Sequence, residues 1–436
     1  MILRFSVENF RSFKDETTLN FVSSSHIPFN PGHKYRFGRL GFIKNVGIFG
    51  ANASGKSTII AAIGVLKNVI LGEGIDGNLA FKGRKNVPTR FEIAFETNGR
   101  FFQYELAVKE IEGLSDPSIV SESLYELFKT KEPELIYDSK KGIQKTDEEE
   151  MRLYEKRFHQ VTGIPFLKYI VAPERRNRKS RISNTFWNVY LFFARKIHVY
   201  AEHGEMLLAI QEKSVELIKD KLHDYDTGIE EVLFIDTIEE EKNRLASSAI
   251  IKEQAIDPLY KKIDTLLSTY YFDGSNIFMF KIEDGSLAVR KLAFKHAGIE
   301  KHFTFEEESD GTKVIFLLLA LLIGNDNSDR ALFVDKIEMS SHPVVVRRLI
   351  QDFQSLNKDS KSQLVFTTHM VELMDTVLKK DEIYFVEKND YGVSHIKSLL
   401  EFKSTNHREK YASKYIEGRY GALPNIAVRI DTNATA

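Results

Sequence analysis

The sequence predicts an α/β fold in which a phosphate-binding loop joins a buried strand to a helix, with an antiparallel β lobe and a helical insertion. The first observation is the glycine-rich run "GANASGKST" at residues 50–58, between a strand pattern and a helical pattern. The second is a pair of continuous apolar runs, "RALFV" and "QLVFT", typical of buried parallel strands. The third is a hairpin pattern between residues 88 and 108, where apolar and polar residues alternate around Asn98-Gly99.

The composition fits a globular protein of two or three lobes. The 436 residues exceed one compact core, and 42% of them are hydrophobic. The charge is balanced, with 61 basic and 62 acidic residues, so only a local patch would bind nucleic acid. The absence of cysteine excludes thiolate nucleophiles and thiolate zinc sites, and we expect a cytoplasmic protein. The longest apolar run, "VIFLLLALLI", is about half a membrane span and predicts a buried helix.

The run "GANASGKST" has the spacing of a phosphate-binding loop. Its glycines let backbone N–H groups turn toward phosphates, and Lys56 is placed to reach the β- and γ-phosphates. The Ser57 hydroxyl is a candidate ligand of Mg²⁺. The alternative is a chance glycine-rich turn, but a strand precedes the loop and a helix follows it. We therefore predict ATP and Mg²⁺ as cofactors, with nucleotide contacts from Asn52, Ser54, Gly55, Lys56, Ser57 and Thr58.

The N-terminal stretch "MILRFSVENFRSF" begins as an alternating strand. It has no apolar core of signal-peptide length. After the strand, Arg11 is a candidate to reach an α-phosphate, and Phe13 is a candidate to touch a base. The alternative is a strand end with one solvated arginine.

A second group of candidates lies after residue 300. The stretch "EEESDGTKVIFLLLALLI" predicts a helix capped by Ser309, with Gly311 allowing close backbone approach to an anion. An ordinary capped helix is the alternative. Asp335 follows the strand pattern "RALFV", where ligands bind in open α/β sheets, and is a candidate Mg²⁺ ligand. His369 follows "QLVFTT" and is a candidate contact to the γ-phosphate.

The order of these motifs along the chain is similar to that in a known family of ATPases. With "NFRSF", "GANASGKST", "ESDGTK", "FVDKIEMSSHP" and "FTTH" in sequence, the chain resembles ABC-type ATPase heads of the overcoming-lysogenization-defect, RecF and SMC branch. It is most similar to stand-alone AAA-type ATPases of bacterial anti-phage, abortive-infection systems. The resemblance implies a homodimer or higher oligomer with shared ATP sites. Each phosphate loop would be closed by the partner's signature turn, residues 309–312.

One position departs from that family. The residue after the metal-binding aspartate is normally a glutamate that orients the attacking water, and here it is Lys336. A charged lysine accepts no proton, so we predict an ATPase that binds ATP well and hydrolyses it slowly. Glu338 is expected to share a strand face with Lys336, and either pairs with it or substitutes for the missing base. The catalytic candidates are Lys336, Glu338 and His369.

The motifs divide the chain into four predicted parts. Residues 1–144 are the N-terminal part of the head, 145–270 a helical insertion, 271–400 the C-terminal part of the head, and 401–436 a tail. The resemblance implies a nucleotide-gated scaffold or sensor in anti-phage defence that controls a separate effector, a nuclease or toxin. The alternative is a DNA-repair or DNA-end-binding ATPase of the RecF/SMC kind.

A local basic run bears on these alternatives. The stretch "ERRNRKSRISN" has five basic residues within seven positions, and no aromatic residue interrupts it. It would contact a nucleic-acid backbone, an acidic partner or the nucleotide, or it is a solvated loop. The residues are Arg175, Arg176, Arg178, Lys179 and Arg181.

Overall fold

The computed structural model describes residues 1–74, 78–111, 117–144, 149–158, 163–200, 218, 221–246, 269–273, 275–283, 286–323, 329–339, 341–402 and 410–423. The chain divides into two compact units. The first consists of Met1–Ala201, Ser328–Ile337 and Asn357–Ala436. The second consists of Glu202–Asn327 and Glu338–Leu356.

The strands of both units are numbered along the chain. They are β1 (Ile2–Glu8), β2 (Thr17–Asn20), β3 (Lys34–Phe37), β4 (Leu40–Ile43), β5 (Asn45–Phe49), β6 (Thr89–Thr97), β7 (Arg100–Lys109), β8 (Ser118–Leu127), β9 (Glu134–Asp138), β10 (Gly142–Ile143), β11 (Ile197–Tyr200), β12 (Ile229–Asp236), β13 (Thr269–Phe272), β14 (Ile277–Glu283), β15 (Ser286–His296), β16 (His302–Thr304), β17 (Ala331–Val334), β18 (Gln363–Thr367), β19 (Ile383–Lys388) and β20 (Ser394–Ser398).

The helices are numbered in the same way. They are α1 (Lys56–Leu71), α2 (Glu149–Phe158), α3 (Phe166–Ile170), α4 (Arg181–Leu191), α5 (Glu239–Ala246), α6 (Asp310–Ile323), α7 (Pro343–Leu356), α8 (Leu373–Thr376) and α9 (Tyr411–Ile416). Short 3-10 helices span Pro173–Arg175, His223–Tyr225, Lys380–Glu382 and Leu399–Glu401, and a π-helical turn spans Phe192–Lys196.

The first unit is built on two large sheets, beside a two-stranded sheet of β3 and β4. One is antiparallel, in the order β10-β9-β8-β7-β6-β1-β2. The other has the order β11-β17-β18-β5-β19-β20, in which all neighbours are parallel except β19 and β20. Val365 of β18 lies opposite Val46 of β5 and Phe333 of β17, so these strands end at the same edge. The α/β fold with an antiparallel lobe is therefore confirmed, and this edge is where its ligands are expected.

The predicted hairpin is present as β6 and β7. Asn98 and Gly99 form its two-residue turn, with φ angles of 51° and 76°. A side chain at Gly99 would meet no atom within 4 Å, so the backbone angle, and not packing, requires glycine there.

The antiparallel lobe is joined to α3 by one buried carboxylate. Glu122 of β8 accepts hydrogen bonds from the backbone N–H groups of Phe166 (2.6 Å) and Leu167 (3.0 Å). The Tyr104 hydroxyl donates to the same carboxylate at 2.9 Å. Complete burial raises the pKa of Glu122 to about 7, and these three donors oppose that rise.

The second unit contains a sheet in the order β12-β15-β14-β13, with β16 paired to β15. Its helix α6 is buried from Val314 to Leu322, and the Phe316 ring packs on Phe294 at 5.4 Å and on Phe305 at 6.0 Å. The apolar run is a buried helix, as predicted. Within the described ranges, no helix has both the length and the apolar character needed to cross a membrane.

The segment 145–270, which we expected to be a helical insertion, also contains strands. It contributes β11, which pairs with β17, and β12, which pairs with β15. Both strands depend on partners distant in sequence, and β11 has only four residues, too few for a local pattern to identify it. The helical pattern at 205–222 lies outside the described residues, apart from Ile218, Lys221 and Leu222.

Candidate nucleotide-binding site

The phosphate loop, residues 50–58, is shaped by three positive φ angles. These are 151° at Gly50, 59° at Ala53 and 116° at Gly55. Backbone in which the handedness alternates points successive N–H groups toward one side and forms an anion-binding concavity. Helix α1 begins at Lys56, and N–H groups in the first turn of a helix have no acceptor within it. The loop therefore presents donors and a positive helix end together.

Two serines from elsewhere in the chain support this shape, Ser394 in β20 and Ser12 in the turn after β1. The Ser394 hydroxyl donates to the Ser54 carbonyl at 2.5 Å, and the Ser394 N–H donates to the Ser12 carbonyl at 2.8 Å. A Cβ atom at Gly55 would lie 2.6 Å from the Ser394 hydroxyl oxygen, so this close approach requires glycine. Ser394 was missed from sequence because no motif marks a serine 340 residues away from its partner.

The two predicted metal ligands converge. Asp335 directly follows β17, is 8% exposed, and its backbone N–H donates to the Tyr200 carbonyl at 2.9 Å. The Ser57 hydroxyl donates to Asp335 Oδ1 at 2.9 Å. Beside this pair, the buried Lys56 ammonium donates to the Gly50 and Ala51 carbonyls, at 2.9 Å each. A hydroxyl and a carboxylate at one point are the oxygen ligands that Mg²⁺ prefers.

The residues present fit a magnesium-bound phosphate chain. The Ser54 hydroxyl is buried in the loop and has no hydrogen-bond partner among the described residues. A buried hydroxyl without a protein partner is expected to bond to a ligand or water, and a phosphate oxygen would serve. Among the described residues, no group of three or more His, Cys, Asp or Glu side chains is placed to hold a metal ion by itself. Ser57 and Asp335 would therefore hold Mg²⁺ together with phosphate and water oxygens, which is usual for this ion.

Lys336 lies in a turn and not in a strand. The turn spans residues 335–339, and Lys336 has a φ of 49° with an exposed side chain. Its N–H donates to the Thr367 hydroxyl oxygen at 2.7 Å. A left-handed conformation at a residue with a Cβ costs roughly 1–2 kcal/mol. The expectation that Lys336 and Glu338 share a strand face is therefore wrong, because the chain turns immediately after Asp335. Glu338 is half-buried in the second unit.

His369 and Asn52 line a common cavity. His369 is exposed beyond the end of β18, and Asn52 is exposed in the phosphate loop. The cavity has a volume of about 200 Å³ and is lined by Phe49, Gly50, Ala51, Asn52, Thr368, His369, Val371, Tyr415 and Leu423. The structure thus brings together the predicted γ-phosphate contact, His369, and one of the predicted nucleotide contacts, Asn52.

The C-terminal segment, residues 410–423, supplies the outer wall of this cavity, which the sequence did not predict. Its helix α9 begins with the Tyr411 N–H donating to Asp375 Oδ1 at 2.7 Å. The Phe385 ring stacks on Tyr415 at 5.4 Å and on Tyr420 at 5.2 Å. Aromatic packing therefore fixes the segment to β19.

The segment "NFRSF" lies beside the phosphate loop. Arg11 is exposed, and its guanidinium lies 5.2 Å from the Phe10 ring. The neighbouring Ser12 hydroxyl is 3.5 Å from that of Thr58. Phe13 is fully buried in the core, so the expectation that it touches a base is wrong.

The signature turn, residues 309–312, forms the predicted cap in the second unit. The Ser309 hydroxyl oxygen accepts the Thr312 N–H at 3.1 Å, and the two hydroxyls are 2.8 Å apart. Ser309 and Asp310 are exposed, and Gly311 is half-buried. The hydrogen bonds that shape the signature turn therefore all lie within one copy of the chain.

The basic run gains aromatic neighbours from elsewhere in the chain. The Arg176 guanidinium lies 3.9 Å from the Trp187 ring, and that of Arg175 lies 4.0 Å from the Tyr169 ring. Burial, together with the nearby Arg178, lowers the pKa of Arg176. The exposed residues of the run surround the start of α4, whose positive end disfavours cations. They are Arg178, Lys179 and Arg181.

Comparisons with known proteins give two kinds of result. No curated protein matches the chain. Two solved structures are similar at 15% identity. One is described as "Crystal structure of the SmcHead bound to the C-winged helix domain of ScpA", with 91% of this chain and 97% of that chain covered and a TM-score of 0.41. The other is "SMC head domain from Thermotoga maritima", with 91% and 98% covered and a TM-score of 0.35.

A protein-family model gives the stronger result. Residues 46–375 match the family described as "AAA domain, putative AbiEii toxin, Type IV TA system". The matched range includes the phosphate loop, the signature turn, Asp335 and His369. Because the match spans well over half of the chain, the protein belongs to this family of AAA domains.

Proposed function

We propose that the chain is a nucleotide switch that binds Mg-ATP, closes against a second copy of itself, and hydrolyses ATP slowly. The observation that carries the proposal is the 2.9 Å hydrogen bond between Ser57 and Asp335 at the start of α1. It places a hydroxyl and a carboxylate next to a loop of backbone donors. Membership in an AAA-domain family supports the same class of activity.

Each residue of the site has a role in this proposal. Lys56 binds the β- and γ-phosphates, and Asn52 and His369 contact the γ-phosphate from the cavity. Arg11 approaches the α-phosphate from the opposite side of the loop. Bound Mg²⁺ would neutralise phosphate charge at Ser57 and Asp335. Lys336 attracts the γ-phosphate but takes no proton from water, so ATP stays bound and is cleaved only slowly.

Dimerisation completes the site. One chain carries one phosphate loop and one signature turn, so a two-fold pair contains two equal composite sites. In each of them the Ser309 hydroxyl and the Gly311 N–H of one copy donate to the γ-phosphate held by the other. The positive end of α6 adds to this attraction.

Nucleotide binding and oligomeric state test this part of the proposal. We expect the unchanged chain to bind a fluorescent ATP analogue with Mg²⁺ and to double its mass in light scattering. Lys56→Ala should lose both effects, whereas Lys82→Ala, which changes an exposed lysine, should keep both. Gly311→Glu should bind nucleotide as a monomer, because it places a carboxylate against the γ-phosphate. Dimers of Gly311→Glu with Mg-ATP would contradict closure by the signature turn.

We infer a role in abortive-infection defence from the family description, which names a toxin–antitoxin system. In this proposal the ATP-bound dimer restrains a separate effector, a nuclease or toxin, and ATP turnover releases it. Co-expression with neighbouring genes should yield an effector that co-purifies only with ATP-bound dimer. If the chain alone arrests growth without any neighbouring gene, the chain is itself the toxin and the proposed division of roles is wrong.

A second candidate function is a DNA-stimulated ATPase. The observation that favours it is the set of like charges packed against Trp187 and Tyr169 at the start of α4. Cations crowd there despite mutual repulsion and an opposing helix dipole, which indicates a polyanionic partner. Phosphate release stimulated by DNA would favour this function. Release that is unaffected by DNA but changed by a co-purifying protein would favour the effector switch.

A further inference from the structure

One buried hydroxyl, that of Thr367, joins the candidate metal ligand to the residue that follows it. Thr367 is the last residue of β18 and is completely buried. Its hydroxyl hydrogen-bonds to Asp335 Oδ1, and its oxygen accepts the Lys336 N–H at 2.7 Å. Its carbonyl accepts the Ile337 N–H at 3.0 Å. One residue of β18 thus binds three consecutive residues of the turn after β17.

The chemistry of the groups fixes the direction of these bonds. A threonine hydroxyl has one hydrogen to donate and lone pairs to accept with. The Lys336 N–H is a donor, so the hydroxyl hydrogen points to the carboxylate of Asp335. The Ser57 hydroxyl donates to the same oxygen, Oδ1. The other oxygen, Oδ2, has no hydrogen bond to the described part of the chain, which leaves its lone pairs available to a cation.

We propose that Thr367 is a positioning residue that sets the Asp335 carboxylate for Mg²⁺ and holds residue 336 in its left-handed conformation. This inference rests on the proposed Mg-ATP site. Groups that hydrogen-bond to metal ligands fix the ligand's orientation, and their loss commonly lowers metal affinity about 10–100-fold. Without the Thr367 hydroxyl, the Asp335 carboxylate keeps only the hydrogen bond from Ser57 among the described residues, and the strained turn at Lys336 loses the acceptor that stabilises it.

The test separates metal binding from overall stability. Thermal unfolding of the full chain is followed with excess ATP while Mg²⁺ is added back after EDTA treatment. Thr367→Val removes the hydroxyl and keeps the branched shape, and Thr367→Ser keeps the hydroxyl. Ser362→Ala is the matched control, because it removes a buried hydroxyl at the other end of β18, where it accepts the Arg330 N–H at 3.3 Å. Titration with Mn²⁺, followed by electron paramagnetic resonance, measures the affinity of the same site for a second metal ion.

We expect Thr367→Val to need about 10–100-fold more Mg²⁺ for half of the maximal stabilisation. Thr367→Ser should stay close to the unchanged chain, and Ser362→Ala should keep its Mg²⁺ midpoint even with a lower melting temperature. Thr367→Ala serves the same purpose if the valine variant does not fold. An unchanged Mg²⁺ midpoint and Mn²⁺ affinity in the variants without the hydroxyl would overturn the inference, whatever their melting temperatures.

The same experiment distinguishes this failure from failure of the proposed function. Suppose that Lys56→Ala abolishes the stabilisation by Mg-ATP and Thr367→Val leaves the Mg²⁺ midpoint unchanged. The nucleotide site is then supported, and the proposed role of Thr367 is wrong. If the unchanged chain shows no stabilisation by Mg-ATP, the nucleotide site is wrong, and the role of Thr367 falls with it.

Discussion

Lys336 follows the candidate metal ligand in a strained turn, and its side chain is exposed. A glutamate in the same conformation would direct a carboxylate to the place where the lysine now puts a cation. That carboxylate accepts a proton from water, which the ammonium group does not. In the proposed switch, the chemistry of this one side chain decides whether bound ATP is held or cleaved.

Lys336→Glu should accelerate phosphate release by about 10²–10⁴-fold, the usual contribution of general-base catalysis. Single-turnover measurements with saturating Mg-ATP would check it, because they do not depend on product release. Lys336→Gln is the matched control, since it removes the positive charge without adding a base. Equal rates for the Glu and Gln variants would show that charge, and not proton transfer, limits the site.

Glu122 gives the stability a pH dependence. Because its pKa is about 7 in the folded chain and 4.5 ordinarily, the folded state retains a proton that the unfolded state has lost. The contribution of Glu122 to the free energy of unfolding is therefore largest below pH 4.5 and falls as pH rises to 7.

Glu122→Gln should remove this slope. The shift corresponds to about 3 kcal/mol between pH 4.5 and pH 7, at about 1.36 kcal/mol per pH unit. Urea unfolding of both proteins across this range would measure the difference. Glu132→Gln, at an exposed carboxylate, should keep the slope of the unchanged chain. A slope that persists in Glu122→Gln would assign it to other groups.

Single residues differed in how well the sequence predicted them. Lys56, Ser57 and Asp335 were identified because each follows a local pattern of strand, loop and helix. Ser394 and Thr367 were not, since their importance lies in contacts across the sheet with no local signature. Phe13 was misassigned because an aromatic residue looks the same in sequence whether it packs in a core or on a base.

Among the elements, the β6–β7 hairpin allows the contribution of one turn to the free energy of unfolding to be measured. Its Gly99 has a positive φ angle and open space around the position of a Cβ atom. Gly99→Ala should lower the free energy of unfolding by roughly 1–2 kcal/mol, entirely from backbone strain. Asn98→Gly, at the other positive φ angle, should not destabilise the hairpin comparably. Chemical denaturation of both variants would check this, and an unaffected Gly99→Ala would show that the turn relaxes.

Elements with strong local patterns were predicted correctly, and those that depend on distant partners were not. The phosphate loop, α1, α6, β6 and β7 all have periodic or motif signals. Strand β11 exists because its four residues pair one by one with β17, and α9 exists because aromatic rings dock it on β19. Neither cause is visible in a short sequence window.

Across the whole molecule, a net charge near zero conceals local concentration of charge. If the second candidate function is right, Arg178→Glu with Arg181→Glu should weaken binding of single- or double-stranded DNA. It should also reduce the slope of log affinity against log salt by about two, since each lost phosphate contact accounts for roughly 0.7–0.9. Fluorescence anisotropy at several salt concentrations would measure both. Lys140→Glu with Lys141→Glu makes the same charge change at another exposed site and should leave both values unchanged.

The phosphate loop is contacted by two serines from different parts of the chain. The Ser394 hydroxyl donates to the Ser54 carbonyl, and the Ser12 hydroxyl lies 3.5 Å from that of Thr58. The curvature of the loop is therefore a product of folding and does not need to be induced by ligand. Nucleotide capture then resembles docking on a rigid template, with little ordering entropy lost on contact. If the proposed nucleotide binds there, we expect the reorganisation that it causes to lie outside the loop.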